Sequence, residues 1–543
     1  MGRIFTIGDS ISQGFRSGGT AFSEHAYSTY IAQALQETGY RRLQWPGIKL
    51  KIDLEGMVKM LENKFGNDIS ALEWLPILGA ISEFQDRSED YYERGEGAMG
   101  RPAPNYAHDF TDNCAVEGMR VADAWEVTPR LCLKKVLADK NSAKDNFGIA
   151  MASSPFYRAA HKVLNPQSSD QYLDYSAIKW LKQVATTEGV ENAIVFLGAN
   201  NALGTIFKLQ LEPGDLTPGE SKTFGSRATA GKEGNRYTLW HPLAFEHDYR
   251  LLVSKIIEAM QENKKADWKV YLGTVPLVTI AAMIEGFGEE RLVDDPRVPA
   301  GTAKKRFRYY QYYKYYGVNE STALQTGKVM KFRDALFIDK VIIDFNKSIE
   351  KIAREMNGQI GRKAFVVVDI SNALTDMAWK RNSGMPTYQY PEELQWLFPP
   401  INTKFYDVNS KGDIVDGGIF SLDGIHPTVI GQGIIASEFL KSMIANGSAP
   451  HEAALNWSNI IKDDKLRQEP LKIINSLVNK WQAIDFIVNT VSALECSSAA
   501  RKNPTLTGIT LAHCLARQDG CQSLRIRHQL IRHGHKFFGH GGM

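Results

Sequence analysis

Four short apolar runs, spread along the chain, limit what this sequence can fold into more than any other feature. Each is apolar at nearly every position, a pattern typical of strands buried on both faces of a parallel sheet. The runs are RIFTIG (3–8), NAIVFLG (192–198), WKVYLGTVP (268–276) and KAFVVVDI (363–370). We therefore expect these segments to be strands of a mostly parallel sheet.

Helical patterns lie between these runs. The clearest are at 24–38, 169–187, 246–263, 334–356 and 428–445. Strands that alternate with amphipathic helices predict an α/β layered fold. Two segments, 40–110 and 205–245, interrupt the alternation. We interpret them as insertions over one end of the sheet, where the loops of α/β folds shape the site.

Composition excludes several classes of protein. The chain has 543 residues, of which 43% are hydrophobic and 23% charged, as in ordinary globular proteins. Residues 501–543 carry seven basic residues and one acid, so the rest of the chain is near neutral and no nucleic-acid partner is expected. No signal-peptide pattern precedes the first strand, and no apolar run approaches the ~18 residues of a membrane span. With five scattered cysteines, this predicts a cytoplasmic protein without a transmembrane segment.

The C-terminal part has a different composition, and we divide it into a helical extension (448–495) and a basic, His-rich tail (496–543). The run 471–494 has apolar residues at helical spacing and predicts a helix docked on the body, or alternatively a helix at a lipid surface. In the tail, His528 and His533 have a spacing that a zinc finger can use, but Cys514 and Cys521 are too far apart for its usual cysteine pair. We expect a loosely ordered tail and assign it no function.

A stretch of basic and aromatic residues, KKRFRYYQYYKYYG (304–317), allows three interpretations. Tyr309, Tyr312, Tyr313 and Tyr316 share one face of a helix, so we expect a helix that packs this face on the body. An aromatic wall beside the substrate is the alternative. Interleaved basic and aromatic residues can also bind single-stranded nucleic acid.

Ser10, in the motif GDSIS directly after the first apolar run, is a candidate catalytic nucleophile. In α/β folds, ligands bind at the carboxyl ends of strands, so its hydroxyl can stand at such a site. Serine needs a base, an orienting group and oxyanion donors to act as a nucleophile. The neighbouring Asp9 is expected to hydrogen-bond loop backbone rather than to take part.

A base is available in SLDGIHPTVIGQG, where Asp423 and His426 lie three residues apart ahead of a helix. Such a pair can place a carboxylate against Nδ1 and leave Nε2 free to accept a serine proton, although the same spacing also occurs in helix caps. Oxyanion donors are available from Asn200, in VFLGANN, and from the backbone of Gly118, in AVEGM. Each of these, taken alone, is equally compatible with an ordinary turn.

Taken together, GDSIS (8–12), the segment Asn113 to Gly118, Gly198-Ala199-Asn200 and Asp423-x-x-His426 occur in the order and contexts of four sequence blocks. They are the blocks of the SGNH hydrolases, also called the GDSL esterase/lipase family, which the chain resembles over roughly residues 1–447. The resemblance implies that Ser10 is the nucleophile, His426 the general base and Asp423 its orienting acid. It also implies an oxyanion hole formed by the N–H groups of Ser10 and Gly118 and the side chain of Asn200.

Two departures from the family pattern concern the site. The third block usually ends in Asp, but this chain has Asn201. The gap between Ser10 and Gly118 is also long for the family, so the inserted region 40–110 is expected to roof the pocket.

The combined expectation is a three-layer α/β/α sandwich over residues 1–447, with a central, mostly parallel sheet and large insertions. The expected activity is a serine esterase that hydrolyses a small-molecule carboxylic ester through an acyl-enzyme, without metal or cofactor. We expect a small or medium acyl group, because no extended apolar stripe indicates a lipase-like tunnel. The alternatives are a membrane-surface lipase or lysophospholipase with peripheral membrane contact, and a non-catalytic ligand-binding protein on the same fold. The sequence leaves the oligomeric state open.

Overall fold

The computed structural model describes residues 3–19, 21–68, 74–98, 106–139, 151–215, 224–227, 235–299 and 301–479. In this part of the chain the strands are β1 (Ile4–Gly8), β2 (Asn192–Phe196), β3 (Lys269–Gly273), β4 (Ile284–Asp294), β5 (Arg306–Tyr315), β6 (Met330–Lys331), β7 (Phe365–Val368), β8 (Asp407–Val408) and β9 (Ile414–Asp416).

The longer helices are α2 (Tyr27–Ala34), α3 (Leu54–Phe65), α4 (Trp74–Glu93), α6 (Pro129–Leu137), α7 (Pro155–Leu164), α8 (Ala177–Thr187), α10 (Pro242–Met260), α12 (Phe332–Ile360), α13 (Ile370–Met377) and α15 (Val429–Ala445). The shorter ones are α1 (Ser10–Gln13), α5 (Asp123–Glu126), α9 (Gly204–Lys208), α11 (Glu320–Thr326), α14 (Glu392–Gln395), α16 (Trp457–Asp463), α17 (Lys465–Gln468) and α18 (Ile473–Asn479).

The four apolar runs form one parallel sheet in the order β1-β2-β3-β7, which confirms the prediction of a mixed α/β fold with a parallel sheet. Every residue of β1 and β2 is buried, as their continuous apolar sequences predict. A short extended segment continues the sheet beside β1, because the N–H groups of Cys114 and Val116 donate to the carbonyls of Thr6 and Gly8. This segment brings Gly118 to the end of the sheet that carries Ser10.

The helices flanking the sheet follow the predicted patterns with shifted ends. The pattern at 169–187 becomes a helix only from Ala177, because Ser176 caps the helix by accepting from the Lys179 N–H at 3.3 Å. The pattern at 24–38 forms a helix only over Tyr27–Ala34, whereas the one at 334–356 extends over Phe332–Ile360. Helix α10 packs against α8 and α12, and α15 packs against α2.

The prediction of a helix at 304–317 was wrong. Residues Arg306–Tyr315 are strand β5, which pairs antiparallel with β4 and β6. Phe307, Tyr309, Tyr313 and Tyr315 are buried on one side of the strand, so the apolar pattern also had a period of two. Aromatic residues favour strands, and the partner strand β4 supplies the hydrogen bonds. The tyrosines fit both a helical repeat and a strand repeat, and pairing with β4 and β6 makes the segment a strand.

The predicted extension from residue 448 packs on the body as far as the structure describes it. Asp464 lies between α16 and α17, and its carboxylate accepts from the N–H of Ile430 at 3.1 Å. Ile473, Ile474 and Leu477 of α18 are buried. Residues 480–494 of the predicted helix, and the tail with His528, His533, Cys514 and Cys521, lie outside the described residues. Among the helices described, none is both long and apolar enough to cross a membrane.

Candidate active site

Ser10 lies at the carboxyl end of β1, where it begins the short helix α1. Asp9 is the helix N-cap, and its Oδ1 accepts from the Ile11 N–H at 3.1 Å, which confirms the backbone role predicted for Asp9. Gly8 is required before this turn, since a Cβ there would lie 2.1 Å from Ser12 Oγ. The result is a serine held in a fixed position, with 4% of its surface exposed.

His426 and Asp423 lie on a tight turn just before α15, and this turn reaches Ser10. His426 Nε2 is 2.9 Å from Ser10 Oγ, and its Nδ1 is 2.8 Å from Asp423 Oδ2. With the Nδ1–H donating to the carboxylate, the Nε2 lone pair faces the serine hydroxyl. Ser10 and His426 are 416 positions apart in sequence, and the structure joins them and Asp423 into one hydrogen-bonded chain.

Asp423 is buried, yet it is surrounded by donors. Its Oδ1 accepts from the N–H groups of Ile425 and His426, at 3.0 and 2.9 Å, and from the hydroxyl of Ser421. Its Oδ2 accepts from the Gly18 N–H at 2.9 Å in addition to His426. Burial by itself would raise the pKa of Asp423, but the contacts with His426 and the backbone N–H groups outweigh burial and lower it. The carboxylate therefore stays charged and can stabilise an imidazolium.

The two predicted oxyanion donors lie at the same end of the sheet. Gly118 follows Val116, which pairs with Gly8, and Asn200 follows Phe196, the β2 partner of Gly8. Asn200 Nδ2 donates to the Met119 carbonyl at 3.1 Å, which fixes the amide plane and leaves the second N–H of the same group for another acceptor. Outside the helices and strands, no backbone–backbone hydrogen bond between described residues is donated by the N–H of Ser10 or Gly118.

Gly118 has φ +80°, a conformation that favours glycine. A Cβ at this position would lie 2.9 Å from Nη2 of Arg227, whose Nε donates to the Gly118 carbonyl. Sequence reasoning missed Arg227, because it lies 109 residues from Gly118 and in no recognisable motif.

Other supporting residues were also missed. The loop after α1 holds the Asp423 turn, because Ser17 N–H donates to Ser421 Oγ at 2.9 Å and Gly18 N–H donates to Asp423. The Phe15 ring packs edge-on against His426, with 4.7 Å between ring centroids. The glycines at 14 and 18, both with positive φ, were the available sequence signal for a tight loop here.

A cleft opens beside Ser10 and His426, with about 680 Å³ of empty space, part of which is open solvent. Apart from these two residues its lining is entirely apolar and comes from the loops after several strands and from α15. The tyrosines of the 304–317 stretch are not among the described residues that line it.

Among the described residues, one group has the spacing of a metal site: Asp86, Glu89 and Asp90 of α4. Arg94 forms ion pairs with Glu89 and Asp90. None of the three is a residue of the Ser10 site. Comparisons of the chain with protein-family models, with curated proteins and with solved structures found no match.

Proposed function

We propose that this protein is a serine hydrolase of the SGNH or GDSL type that cleaves carboxylic esters through an acyl-enzyme. The observation that carries the proposal is the continuous chain from Asp423 through His426 to Ser10, buried at the carboxyl end of a parallel sheet. Nucleophile, base and orienting acid are the parts that acyl transfer needs, and here each is within hydrogen-bond reach of the next.

In the proposed reaction, His426 Nε2 takes the Ser10 proton as Oγ bonds to the ester carbonyl carbon. The negative charge on the carbonyl oxygen is stabilised by the N–H groups of Ser10 and Gly118 and by Asn200 Nδ2. His426 then gives its proton to the departing alkoxide, which leaves an ester between Ser10 and the acyl group. Water, deprotonated by His426, releases the carboxylic acid and restores Ser10.

Labelling with a fluorophosphonate tests the nucleophile. We expect the native chain to be labelled and Ser10→Ala to remain unlabelled, with loss of p-nitrophenyl butyrate hydrolysis. Ser12→Ala is the matched control, because the Ser12 hydroxyl is bound to Tyr27 at 2.8 Å instead of facing His426. Labelling that persists in Ser10→Ala contradicts the assignment. A native chain that neither reacts nor hydrolyses any ester favours a non-catalytic binding protein.

A second candidate function, lipolysis at a membrane surface, is favoured by one observation. Met385, Trp396 and Phe398, all in the segment between α13 and β8, are 75%, 80% and 91% exposed. Exposed aromatic side chains anchor proteins at lipid interfaces. If this candidate is correct, the native chain co-sediments with phosphatidylcholine vesicles and Trp396→Ser/Phe398→Ser does not. Equal sedimentation of the two chains contradicts it.

We further propose the three-layer form of the fold. It is supported by the two separate helix groups, α8 with α10 and α12, and α2 with α15, that pack around the parallel sheet. A cytoplasmic location stays a prediction from the sequence, which shows no signal-peptide pattern, no apolar run of membrane-spanning length and only scattered cysteines; of the cysteines the structure describes, Cys114 and Cys132 are free and buried.

A further inference from the structure

The apolar cleft beside Ser10 runs along the carboxyl edge of the whole parallel sheet. Ile11 follows β1, Leu203 follows β2, Val278 follows β3, and Leu374 and Met377 follow β7, and all of them line the cleft. Since the sheet order is β1-β2-β3-β7, the lining reaches from the strand that carries Ser10 to the opposite edge strand. The cleft therefore has a defined near end at Ser10 and a far end at α13.

The chemistry of the lining limits the occupant. Leu374 and Met377, on the β7 side of the cleft, are apolar, and apart from Ser10 and His426 the described residues that line the cleft carry no charged or hydrogen-bonding side chain. A sugar, an amino acid or a phosphate group placed there would lose its hydration without compensation. A hydrocarbon chain instead gains from leaving water.

The width of the sheet determines how long a hydrocarbon chain the cleft can hold. Three spacings between neighbouring strands separate β1 from β7, which is about 14 Å. A saturated chain with C–C bonds of about 1.5 Å advances roughly 1.3 Å per carbon, so a chain of about ten carbons spans the distance between Ser10 and α13.

We propose that the cleft binds the acyl part of the substrate, and that the substrate is an ester of an unbranched medium-chain fatty acid of about ten carbons. This inference rests on the proposed esterase function. The acyl carbonyl lies at Ser10, the chain extends across β2 and β3 towards Leu374, and the alcohol lies outside the cleft. Hydrolysis breaks the bond between the acyl carbon and the alcohol oxygen and consumes one water.

Ester series of increasing length test the proposal. With p-nitrophenyl esters we expect kcat/KM to rise about threefold to fourfold per added methylene up to about ten carbons and to fall beyond that. With alkyl acetates we expect no comparable dependence on the length of the alcohol. Dependence on alcohol length instead of acyl length would overturn the proposal, because the cleft would then hold the other half of the ester.

The far end is tested with Leu374→Phe. We expect the ratio of kcat/KM for decanoate to that for butyrate to fall about tenfold or more. The matched control is Leu243→Phe on α10, where the leucine is 56% exposed and outside the cleft, and its ratio should equal that of the native chain. Should Leu374→Phe fail to fold, Leu374→Ala is expected to move the optimum to longer chains. An unchanged ratio in a folded Leu374 variant contradicts the proposal.

A binding measurement separates this inference from the proposed function. Calorimetry with Ser10→Ala should show decanoate bound at least about tenfold more tightly than butyrate, and Leu374→Phe should remove the difference. Selective binding in a chain that hydrolyses no ester keeps the cleft assignment and overturns the esterase. Ester hydrolysis with equal rates for all acyl lengths, and no selective binding, overturns the cleft assignment and keeps the esterase.

Discussion

Among single residues, Asp423 has the largest number of contacts that hold the proposed base, His426, in place. Both carboxylate oxygens accept hydrogen bonds, from Gly18, Ile425 and His426 among others. An asparagine can satisfy only one of the two sides, because its amide nitrogen would face N–H donors on the other. The carboxylate therefore fixes the turn as well as the imidazole tautomer.

We predict that Asp423→Asn lowers kcat for p-nitrophenyl butyrate by about 10³–10⁴, because the imidazole loses its orienting charge. The melting temperature should also fall, since a backbone donor is left unpaired. Asp344→Asn, an exposed acid on α12, is the control and should change neither quantity. Retention of more than a tenth of native kcat in Asp423→Asn contradicts this role.

Asn201, which stands where the family pattern has Asp, is a buried polar residue whose side chain has no hydrogen-bond partner among the described residues. Only 1% of its surface is exposed. We predict that restoring the family's residue with Asn201→Asp destabilises the protein at pH 8 by about 1–3 kcal/mol, because a buried, unpaired carboxylate is costly.

This destabilisation should shrink at pH 5, where a buried carboxyl accepts a proton. Urea unfolding at the two pH values measures it, with the exposed Asn459→Asp as control. Equal stability of Asn201→Asp and the native chain at pH 8 would indicate that a partner for the carboxylate is within reach.

At the scale of elements, strand β1 is tied to the segment after α2 through Glu37. Its Oε2 accepts from the Ile4 N–H at 2.9 Å, and burial raises the pKa of Glu37 to about 7. The folded state therefore holds a proton that the unfolded state has lost between about pH 4.5 and pH 7. The associated stability is fully present below the unfolded pKa and is lost as the pH rises through 7.

We predict that Glu37→Gln, which keeps the acceptor oxygen, removes this dependence. The native free energy of unfolding should fall by about 1–3 kcal/mol more than that of Glu37→Gln between pH 4.5 and pH 8. Parallel urea titrations of the two chains across this range measure the difference. The exposed Glu24→Gln should behave like the native chain. Identical pH profiles for the native chain and Glu37→Gln contradict the raised pKa.

A fully buried ion pair joins the turn after α13 to α12, next to the β4–β5 hairpin. Arg381 and Asp339 are 3.1 Å apart with no exposed side-chain surface, and Asp339 also accepts from Tyr309 Oη at 2.7 Å. The Thr279 hydroxyl, in the loop that lines the cleft, donates to Asp339 as well.

We predict that Arg381→Met costs about 3–5 kcal/mol of stability, because Asp339 is left buried without its countercharge. The double variant Arg381→Met/Asp339→Leu should recover part of this loss. Arg306→Met, in an exposed pair on the same hairpin, is the control and should cost under about 1 kcal/mol. Chemical denaturation measures all three. A double variant less stable than Arg381→Met contradicts this explanation.

The strands and the site motifs differ in how well the sequence predicts them. The four parallel strands were predictable because strands buried on both faces are apolar throughout, and Ser10, Asn200 and the Asp423 turn lie in short local motifs. Strand β5 was not, because its tyrosines fit a helical period and a strand period alike. The cleft could not be predicted from the sequence for another reason. Its lining residues Leu203, Val278 and Leu374 are far apart in sequence, and only the order of strands in the sheet brings their loops together.

At the scale of the whole molecule, the segment 448–479 completes the core around α15. Trp457 packs so closely on this helix that a Cβ at Gly433 would lie 2.8 Å from its ring. Asp464 accepts from Ile430 in the first turn of α15, four residues after His426. Tyr406 Oη donates to the Leu466 carbonyl at 2.9 Å, which ties α17 to the region before β8.

This packing makes a prediction about truncation. Chain 1–450 would expose the surfaces covered by Trp457, Ile460, Leu466, Ile473 and Leu477, all of them buried. Each such side chain contributes about 1.5–3 kcal/mol, so their sum is comparable with the whole stability of a domain. We therefore expect chain 1–450 to be unfolded or aggregated and inactive. Chain 1–479 keeps every one of these contacts, so we expect it to fold and to hydrolyse p-nitrophenyl butyrate. A folded, active chain 1–450 would show that residues 448–479 are a separable extension, as the composition alone suggests, and that the His426 turn does not depend on Asp464.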